Sequence, residues 1–186
     1  MKKTKIRVIG LDPGIRSFGW SVVDVDREAR SLECQVEAGG VIETEPEDAL
    51  SKTQSNAKRC IEIHAQLVAL FDQYKPDYLS CEAVAFPFGK VQTSVVSNLG
   101  RVRGLVDTFD RRVVRSYEFT AKEIKKAITG GSTASKTEVQ EAILKTVRFA
   151  SLFQPKSKTL HEHYFDSIGA AVTAWIKVQS ERAGEE

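Results

Sequence analysis

The stretch VIGLDPGIRSFGWSVVDVD, residues 8–26, places an aspartate and a tight turn between two apolar runs. The first run ends at Asp12, and the second, from Phe18 to Val25, is rich in the aromatic and β-branched residues typical of strands. Between them, Pro13 fixes φ, and Gly14 is free to adopt a positive φ. The pattern predicts two strands. It leaves open whether Asp12 caps an ordinary hairpin or is a functional carboxylate at the end of a central strand.

The composition indicates one globular domain: the chain has 186 residues, of which 41% are hydrophobic and 28% charged. The formal net charge is only +2, but much of the basic charge falls between residues 90 and 158. Three cysteines, an odd number without metal-ligand spacing, indicate free thiols in a reducing compartment. No apolar segment is long enough for a signal peptide or a membrane span. We therefore expect a cytoplasmic protein that does not associate with membranes.

Strand and helix patterns alternate along the rest of the chain. Strands are predicted at residues 5–12, 18–26, 32–43, 76–84 and 112–119. Helices are predicted at residues 49–74, 92–109, 120–128, 135–150 and 160–179. This order predicts an α/β fold with a five-stranded mixed sheet, three strands antiparallel and two parallel, flanked by helices. We expect a single domain over residues 1–180 and a charged, frayed tail at 181–186.

Acidic residues close two of the predicted strands and open the last helix. Asp12 and Glu82 would emerge at the same sheet edge if their strands are parallel neighbours. His163 and Asp166, three residues apart, share one helix face, and Glu162 is also within reach of Asp166. Considered alone, each acid is better interpreted as a solvent-exposed residue that caps a turn or a helix. Their joint placement favours a metal site, because a divalent cation relieves the repulsion between carboxylates. Hard Mg²⁺ takes oxygen ligands, whereas an imidazole in the set would also suit Mn²⁺.

Four motifs carry a resemblance to a known family: GLDPGIRSFGWSVVD, YLSCEAVAF, TAKEIKKAITGGSTASKTEVQ and HEHYFDSIGAAVTA. In this order and spacing they resemble RuvC-type Holliday junction resolvases of the ribonuclease H-like superfamily, over about residues 6–178. The resemblance implies a ribonuclease H-like fold and a metal-dependent, structure-specific endonuclease. Such an enzyme resolves four-way DNA junctions by paired symmetric nicks, using two Mg²⁺ or Mn²⁺ ions per active site.

The resemblance also implies the ligand set. The metal-binding acids of the family fall on Asp12, Glu82 and Asp166. The remaining position is commonly a further aspartate but here is His163, which would act as a ligand or as a base that aids the attacking water. This departure leaves the choice between Mg²⁺ and Mn²⁺ open and makes Glu162 a candidate substitute ligand.

Basic residues in the second half of the chain fit a phosphate-rich substrate. In the resembled family, lysines that match Lys125 and Lys136 contact the DNA backbone near the cut. Ser135 and Glu138 form a capping-box sequence, which predicts a helix N-terminus that can face a phosphate.

Three further residues are candidates for DNA contact. Phe86, in the loop that follows the fourth strand, matches the role of a family aromatic that stacks on an unpaired base at the junction centre. Arg101 and Arg103 are either phosphate contacts or merely exposed helix residues.

The two-fold symmetry of a four-way junction suits a symmetric homodimer, which the resemblance also implies. The predicted helix at 92–109 carries more apolar residues than one sheet face requires, with Val102 as an outward position: Val95, Val96, Leu99, Val102, Leu105, Val106 and Phe109. Branch-migration machinery is a further candidate partner.

Two other classes of function remain open. Asp12, Gly14 and Gly19 also resemble the phosphate hairpin of the actin and sugar-kinase superfamily, which predicts an ATP-binding phosphotransferase; we expect 186 residues to leave no room for its second domain. A non-catalytic junction-binding protein is the third class, with His163 as the residue that ends catalysis, although the three retained acids argue against it. The expected setting is the cytoplasm of a bacterium or of a virus-infected cell rather than an organelle.

Overall fold

The computed structural model describes residues 5–27, 34–83, 93–150, 153–154 and 157–183. The strands are β1 Lys5–Asp12, β2 Ser17–Asp26, β3 Cys34–Glu43, β4 Tyr78–Glu82, β5 Arg115–Phe119 and β6 Val147–Phe149. The helices are α1 Lys52–Tyr74, α2 Thr93–Asp107, α3 Ala121–Thr129, α4 Lys136–Thr146 and α5 Lys158–Ala183. No helix in these residues is long and apolar enough to cross a membrane.

The strands form one mixed sheet in the order β5-β4-β1-β2-β3-β6. β1, β2 and β3 are antiparallel, and β4 and β5 continue the sheet in parallel with β1. The α/β class and the arrangement of these five strands were predicted from the sequence, and the structure confirms both.

The sixth strand, β6, corrects the sequence-based prediction of five strands. It pairs in parallel with β3 inside the segment 135–150 that was predicted to be helical throughout. α4 ends at Thr146, and only three residues follow in the strand. A three-residue strand is too short to show the two-residue alternation by which strands are recognised, and its existence depends on the distant β3 edge.

Helices cover both faces of the sheet. On one face α1 and α2 bury a core that includes Leu11, Leu67 and Phe109. On the other face α5 packs over β1, β2 and β4, with α3 and α4 beside it, around Tyr164 and Trp175. Because side chains alternate along a strand, β1, β2, β3 and β4 contribute to both cores, and the last side chain of a strand lies on one face or the other.

α5 lies unusually close to the sheet because two strand residues there are glycines. A Cβ atom added at Gly10 would lie 2.1 Å from the main-chain oxygen of Ser167, and one at Gly19 would lie 2.1 Å from that of His163. The Ser80 hydroxyl of β4 donates a hydrogen bond of 2.8 Å to the carbonyl of Ala170. These contacts fix the height of α5 above β1, β2 and β4.

The turn after Asp12 needs a glycine for space rather than for a positive φ. Among the described glycines only Gly130, at the end of α3, has a positive φ. A Cβ added at Gly14 would lie 2.4 Å from the carbonyl oxygen of Ser17. The turn is therefore too tight for any side chain at that position.

The structure differs from the sequence-based expectations at the C-terminal end of the last helix and at Val102. The tail predicted at 181–186 begins inside α5, which continues to Ala183; Glu181 there accepts a hydrogen bond of 2.8 Å from Arg115, and residues 184–186 lie outside the described residues. Val102 is not outward: it is 1% exposed and packs against the sheet, whereas Val95 and Val96 are 42% and 39% exposed. α2 presents apolar residues to the sheet at about every third or fourth position, and Val102 occupies one of these positions.

The close approach of α5 yields a test of stability. Gly10→Ala should lower the free energy of unfolding by about 1–3 kcal/mol, because α5 must move away from β1 to admit the methyl group. Gly104→Ala is the matched control: no atom lies within 4 Å of a Cβ added there, in the middle of α2, so the substitution should raise stability by about 0.5–1 kcal/mol. Urea unfolding measures both, and equal stability of Gly10→Ala and the wild type would contradict the packing described.

Candidate active site

Two carboxylates end adjacent parallel strands at the same edge of the sheet. Leu11 of β1 lies opposite Cys81 of β4, and both pack into the core under α1 and α2. The next residue of each strand, Asp12 or Glu82, therefore faces the side covered by α5. The sequence predicted this shared edge, and the strand pairing confirms it.

α5 brings a histidine to the first of these carboxylates. Nδ1 of His163 lies 2.5 Å from Oδ2 of Asp12. The hydrogen bond to Asp12 raises the pKa of His163, although burial of the ring opposes the rise. The raised pKa favours the imidazolium form, in which Nδ1–H donates to the carboxylate. The absence of a side chain at Gly19 allows the His163 backbone to lie against β2 at this point.

A lysine lies between two further acids. The predicted capping box is present: Ser135 is the N-cap, and the Glu138 carboxylate accepts a hydrogen bond of 2.7 Å from the backbone N–H of Ser135. Lys136 is the first residue of α4. Nζ of Lys136 donates to Asp166 at 3.0 Å and to Glu162 at 3.2 Å. Glu162 thus contacts the lysine that neutralises Asp166.

Burial and mutual repulsion perturb the acids. The pKa of Glu82 is raised to about 7, first by burial and then by the charges of Asp12 and Asp166. Burial, followed by the charge of Asp12, also raises the pKa of Asp166. Burial lowers the pKa of Lys136, but its bonds to Asp166 and Glu162 outweigh this effect, so the pKa is raised overall. The acids from β1, β4 and α5 therefore interact electrostatically with one another.

A cavity of about 70 Å³ opens beside these groups. Seven residues line it: Glu82, Ala121, Ile124, Lys125, Lys136, Val139 and Asp166. Two lysines thus share a cavity with two of the acids, which is the combination expected where an anionic group must approach a cluster of carboxylates. Lys125 and Lys136 were both singled out in the sequence as DNA contacts.

The donor chemistry suits a hard divalent cation. Carboxylate oxygens are the ligands such ions prefer, and a cation would relieve the repulsion that raises the pKa of Glu82. Within the described part of the chain, however, no three His, Cys, Asp or Glu side chains are grouped around one point as metal ligands would be. Asp12 instead contacts His163, and Asp166 contacts Lys136. The assignment of ligands remains a prediction.

Arg103 forms ion pairs with neighbouring acidic residues. It forms ion pairs with Asp107 at 2.7 Å and with Glu118 at 3.3 Å. Its Nη1 also lies 2.7 Å from the sulfur of Cys81, whose pKa burial raises to about 12. Arg103 therefore connects α2 to β4 and β5 directly beside Glu82, and it is not an unpaired cation on the surface.

The two remaining sequence candidates lie elsewhere. Arg101 borders a cleft between α1 and α2, on the face of the sheet opposite α5. Phe86 lies outside the described residues. The sequence did not predict the role of Gly19 in this site or the Ser80 hydrogen bond. A glycine inside a strand indicates that another backbone approaches closely, but nothing in the sequence identified α5 as that element.

Comparison with known proteins gives one consistent result. The family model for crossover junction endodeoxyribonuclease RuvC matches residues 8–173. A crossover junction endodeoxyribonuclease RuvC from Prochlorococcus marinus is 29% identical over 178 residues, covering 95% of this chain and 98% of the relative. The structure of Thermus thermophilus RuvC in complex with a Holliday junction substrate matches with a TM-score of 0.74 at 24% identity, covering 95% and 96% of the two chains. The yeast mitochondrial Holliday junction resolvase matches with a TM-score of 0.68 at 12% identity, covering 94% and 79%.

The raised pKa of Glu82 predicts a stability that depends on pH. Because its folded-state pKa of about 7 lies above the ordinary value of 4.5, the penalty for ionising Glu82 is absent below about pH 4.5 and complete above about pH 7. Glu82→Gln should therefore stabilise the protein in EDTA at pH 8 by about 1–3 kcal/mol, after allowance for solvent screening, and leave it unchanged at pH 4.

The measurement is chemical unfolding of both proteins at the two pH values. Glu141→Gln, which removes an exposed carboxylate from α4, should change the free energy of unfolding by less than about 0.5 kcal/mol at pH 8. A Glu82→Gln variant that is less stable than the wild type at pH 8 would show that the carboxylate is not under repulsion.

Proposed function

This chain belongs to the crossover junction endodeoxyribonuclease RuvC family, whose model spans residues 8–173, and we propose that Asp12, Glu82 and Asp166 hold the divalent metal of its active site. The protein is an endonuclease that resolves Holliday junctions, and the family depends on divalent metal ions. The observation that carries the proposed ligand set is the raised pKa of Glu82, caused in part by the charges of Asp12 and Asp166. Family membership favours the nuclease over the phosphotransferase interpretation.

We propose two Mg²⁺ or Mn²⁺ ions per active site. When bound, such ions activate a water and stabilise the leaving 3′ oxygen of the cut phosphodiester. Asp12 is the proposed shared ligand because it ends the central strand β1, next to β4 on one side and β2 on the other. Glu82 and Asp166 would each complete one ion. Because the pKa of Glu82 is raised to about 7, a metal that binds this carboxylate displaces its proton, so the affinity for metal should rise with pH up to about pH 7.

His163 holds a proton that can move. In the imidazolium form the ring pairs with Asp12 and orients its carboxylate. The imidazolium must lose one of its two ring protons before the ring can bind a metal or accept a proton from water, and loss from Nε2 leaves Nδ1–H on Asp12. His163 is therefore proposed as a ligand or base whose participation increases with pH.

Lys125 and Lys136 are proposed to bind the DNA backbone at the cavity. Lys136 is already within hydrogen-bond distance of two acids, so a phosphate would compete with Glu162 and Asp166 for its ammonium group. We propose that Glu162 holds Lys136 in place rather than serving as a metal ligand. The stacking role of Phe86 and a partnership with branch-migration machinery also remain proposals.

A symmetric dimer is proposed because a junction requires two nicks related by two-fold symmetry. Val95 and Val96 are the exposed apolar residues of α2 and would contact a second copy. Val102 and Val106 are excluded from such a contact because they are buried against the sheet.

Asp12→Asn tests the proposed ligand set. Asparagine preserves size and hydrogen bonding but removes the charge, so junction binding should stay within about threefold while cutting is lost, because phosphate contacts dominate affinity. The assay incubates a synthetic four-way junction or a matched linear duplex with Mg²⁺, Mn²⁺ or EDTA. Asp110→Asn, an exposed acid after α2, should cut the junction like the wild type. Full cutting by Asp12→Asn would refute the assignment, and a wild type that binds junctions without cutting them would support the non-catalytic alternative.

His163→Asp tests whether His163 is a ligand. A fourth carboxylate should raise the rate with Mg²⁺ relative to the rate with Mn²⁺, because the harder ion prefers oxygen ligands. His161→Asp adds the same charge two residues earlier, at a position where the wild-type ring contacts Gln140 and Phe165. It should leave the ratio of the Mg²⁺ rate to the Mn²⁺ rate unchanged. If both variants keep the wild-type ratio, His163 does not bind the metal.

A further inference from the structure

A second basic concavity lies on the opposite face of the sheet from the cavity described above. It is a cleft of about 110 Å³ between the N-terminal end of α1 and the middle of α2, lined by Lys52, Thr53, Asn56, Ser97, Asn98 and Arg101. α1 follows the end of β3 and α2 follows the end of β4, and both strands end at the edge that carries Asp12 and Glu82. The cleft therefore lies at the catalytic edge, but on the side of α1 and α2.

The charge in this cleft is entirely positive. Its two cations are Lys52 and Arg101, and no acidic residue lines it. Within the described residues neither cation forms an ion pair, whereas Lys58 in the next turn of α1 is paired with Glu47. Two cations that face one concavity repel each other unless an anion lies between them.

A chain of hydrogen bonds fixes the polarity of the amide groups in the cleft. The buried guanidinium of Arg59 has only donors, so the Asn56 atom 3.3 Å from it is the acceptor oxygen. The amide nitrogen of Asn56 consequently points the other way and donates to Oδ1 of Asn98 at 2.8 Å. The NH₂ group of Asn98 is thereby left as a donor at the cleft.

Arg59 itself is held rigidly. Its Nε donates to the hydroxyl of Thr44 at 2.9 Å, and its Nη2 donates to the carbonyl of Ile15 at 3.2 Å. Because both acceptors are fixed by the sheet edge, the orientation of Asn56 and then of Asn98 is determined by the fold rather than by solvent.

We propose that this cleft binds a backbone phosphate of the junction DNA. Two cations, an oriented amide donor and the hydroxyls of Thr53 and Ser97 form a set of groups that recognises an oxyanion. The N-terminus of α1, capped by Ser51, adds a favourable positive potential at the same place. The inference rests on the proposed function, since it takes junction DNA as the ligand.

The position of the cleft determines how the DNA lies. Lys125 and Lys136 present their charges on the α5 side of the edge, and Lys52 and Arg101 present theirs on the α1 and α2 side. DNA bound at both places crosses the end of the sheet, directly over Asp12 and Glu82. Phosphate contacts on both sides of the carboxylates position the backbone without requiring any base sequence.

Asn98→Asp is the sharpest test because it is isosteric. The aspartate can still accept the hydrogen bond from Asn56, but it replaces the NH₂ donor by a carboxylate oxygen. Fluorescence anisotropy with a labelled four-way junction in EDTA, over a range of about 50–200 mM salt, should show about tenfold weaker binding and a slope of log Kd against log salt that is smaller by about one. Lys52→Ala, a surface substitution, should reduce the slope similarly.

Two matched controls lie on α1, the helix that carries Lys52. Gln73→Glu makes an equivalent isosteric change at the other end of α1, and Lys58→Ala removes a cation that is paired with Glu47. Neither should change the slope by more than about 0.3. If Asn98→Asp and Lys52→Ala also keep the wild-type affinity and slope, the inference is overturned.

Inorganic phosphate distinguishes the source of the anion. If calorimetry shows that Asn98→Asp abolishes phosphate binding while the slope for the junction is unchanged, the cleft takes a free anion and the DNA assignment fails. Failure of the proposed function has a different signature, because the wild type would then not prefer the junction to linear duplex or would not cut it with metal present.

Discussion

The contact of α5 with the sheet is the constraint on which the site depends. The helix can carry Asp166 and His163 to the carboxylates of the strands only if its backbone lies directly on β1 and β2. Gly10 and Gly19 provide that space, since a Cβ atom at either would lie 2.1 Å from a carbonyl oxygen of the helix. Ser80 adds a hydrogen bond from β4 to the same helix. A shift of α5 by the width of one methyl group would therefore separate the acids from each other.

The same contact creates an electrostatic problem. Bringing three carboxylates into a partly buried space raises the pKa of Glu82 to about 7 and also raises that of Asp166. Within the described residues, two basic side chains contact the cluster: the ring of His163 at Asp12 and the ammonium of Lys136 at Asp166. Both are groups that a metal ion or a phosphate would displace or engage. The repulsion destabilises the protein without metal and gives it affinity for a cation.

The sequence predicted the parts of this arrangement that are encoded locally. Asp12 and Glu82 were placed at one edge because each ends an apolar run, and the capping box of Ser135 placed Lys136 at a helix start. What could not be predicted depends on contacts between distant segments. β6 exists only through its pairing with β3, and Val102 is buried only because α2 packs on a particular side. The pairing of Lys136 with Glu162 likewise joins residues 26 positions apart, with no local pattern to signal it.

Arg59 illustrates why a buried polar network can determine the chemistry of a surface. Its guanidinium is only 8% exposed and is satisfied by neutral oxygens of Ile15, Thr44 and Asn56. A carboxylate partner would cancel its charge, whereas carbonyl and amide acceptors leave the net positive charge at the sheet edge that carries Asp12 and Glu82. Because the side-chain oxygen of Asn56 accepts a hydrogen bond from Arg59, only the NH₂ group of Asn56 is available to bind Asn98 of α2. The turn after Asp12 and the cleft between α1 and α2 are thereby parts of one hydrogen-bonded unit, so the geometry that holds Asp12 also sets the orientation of Asn98 on the opposite face.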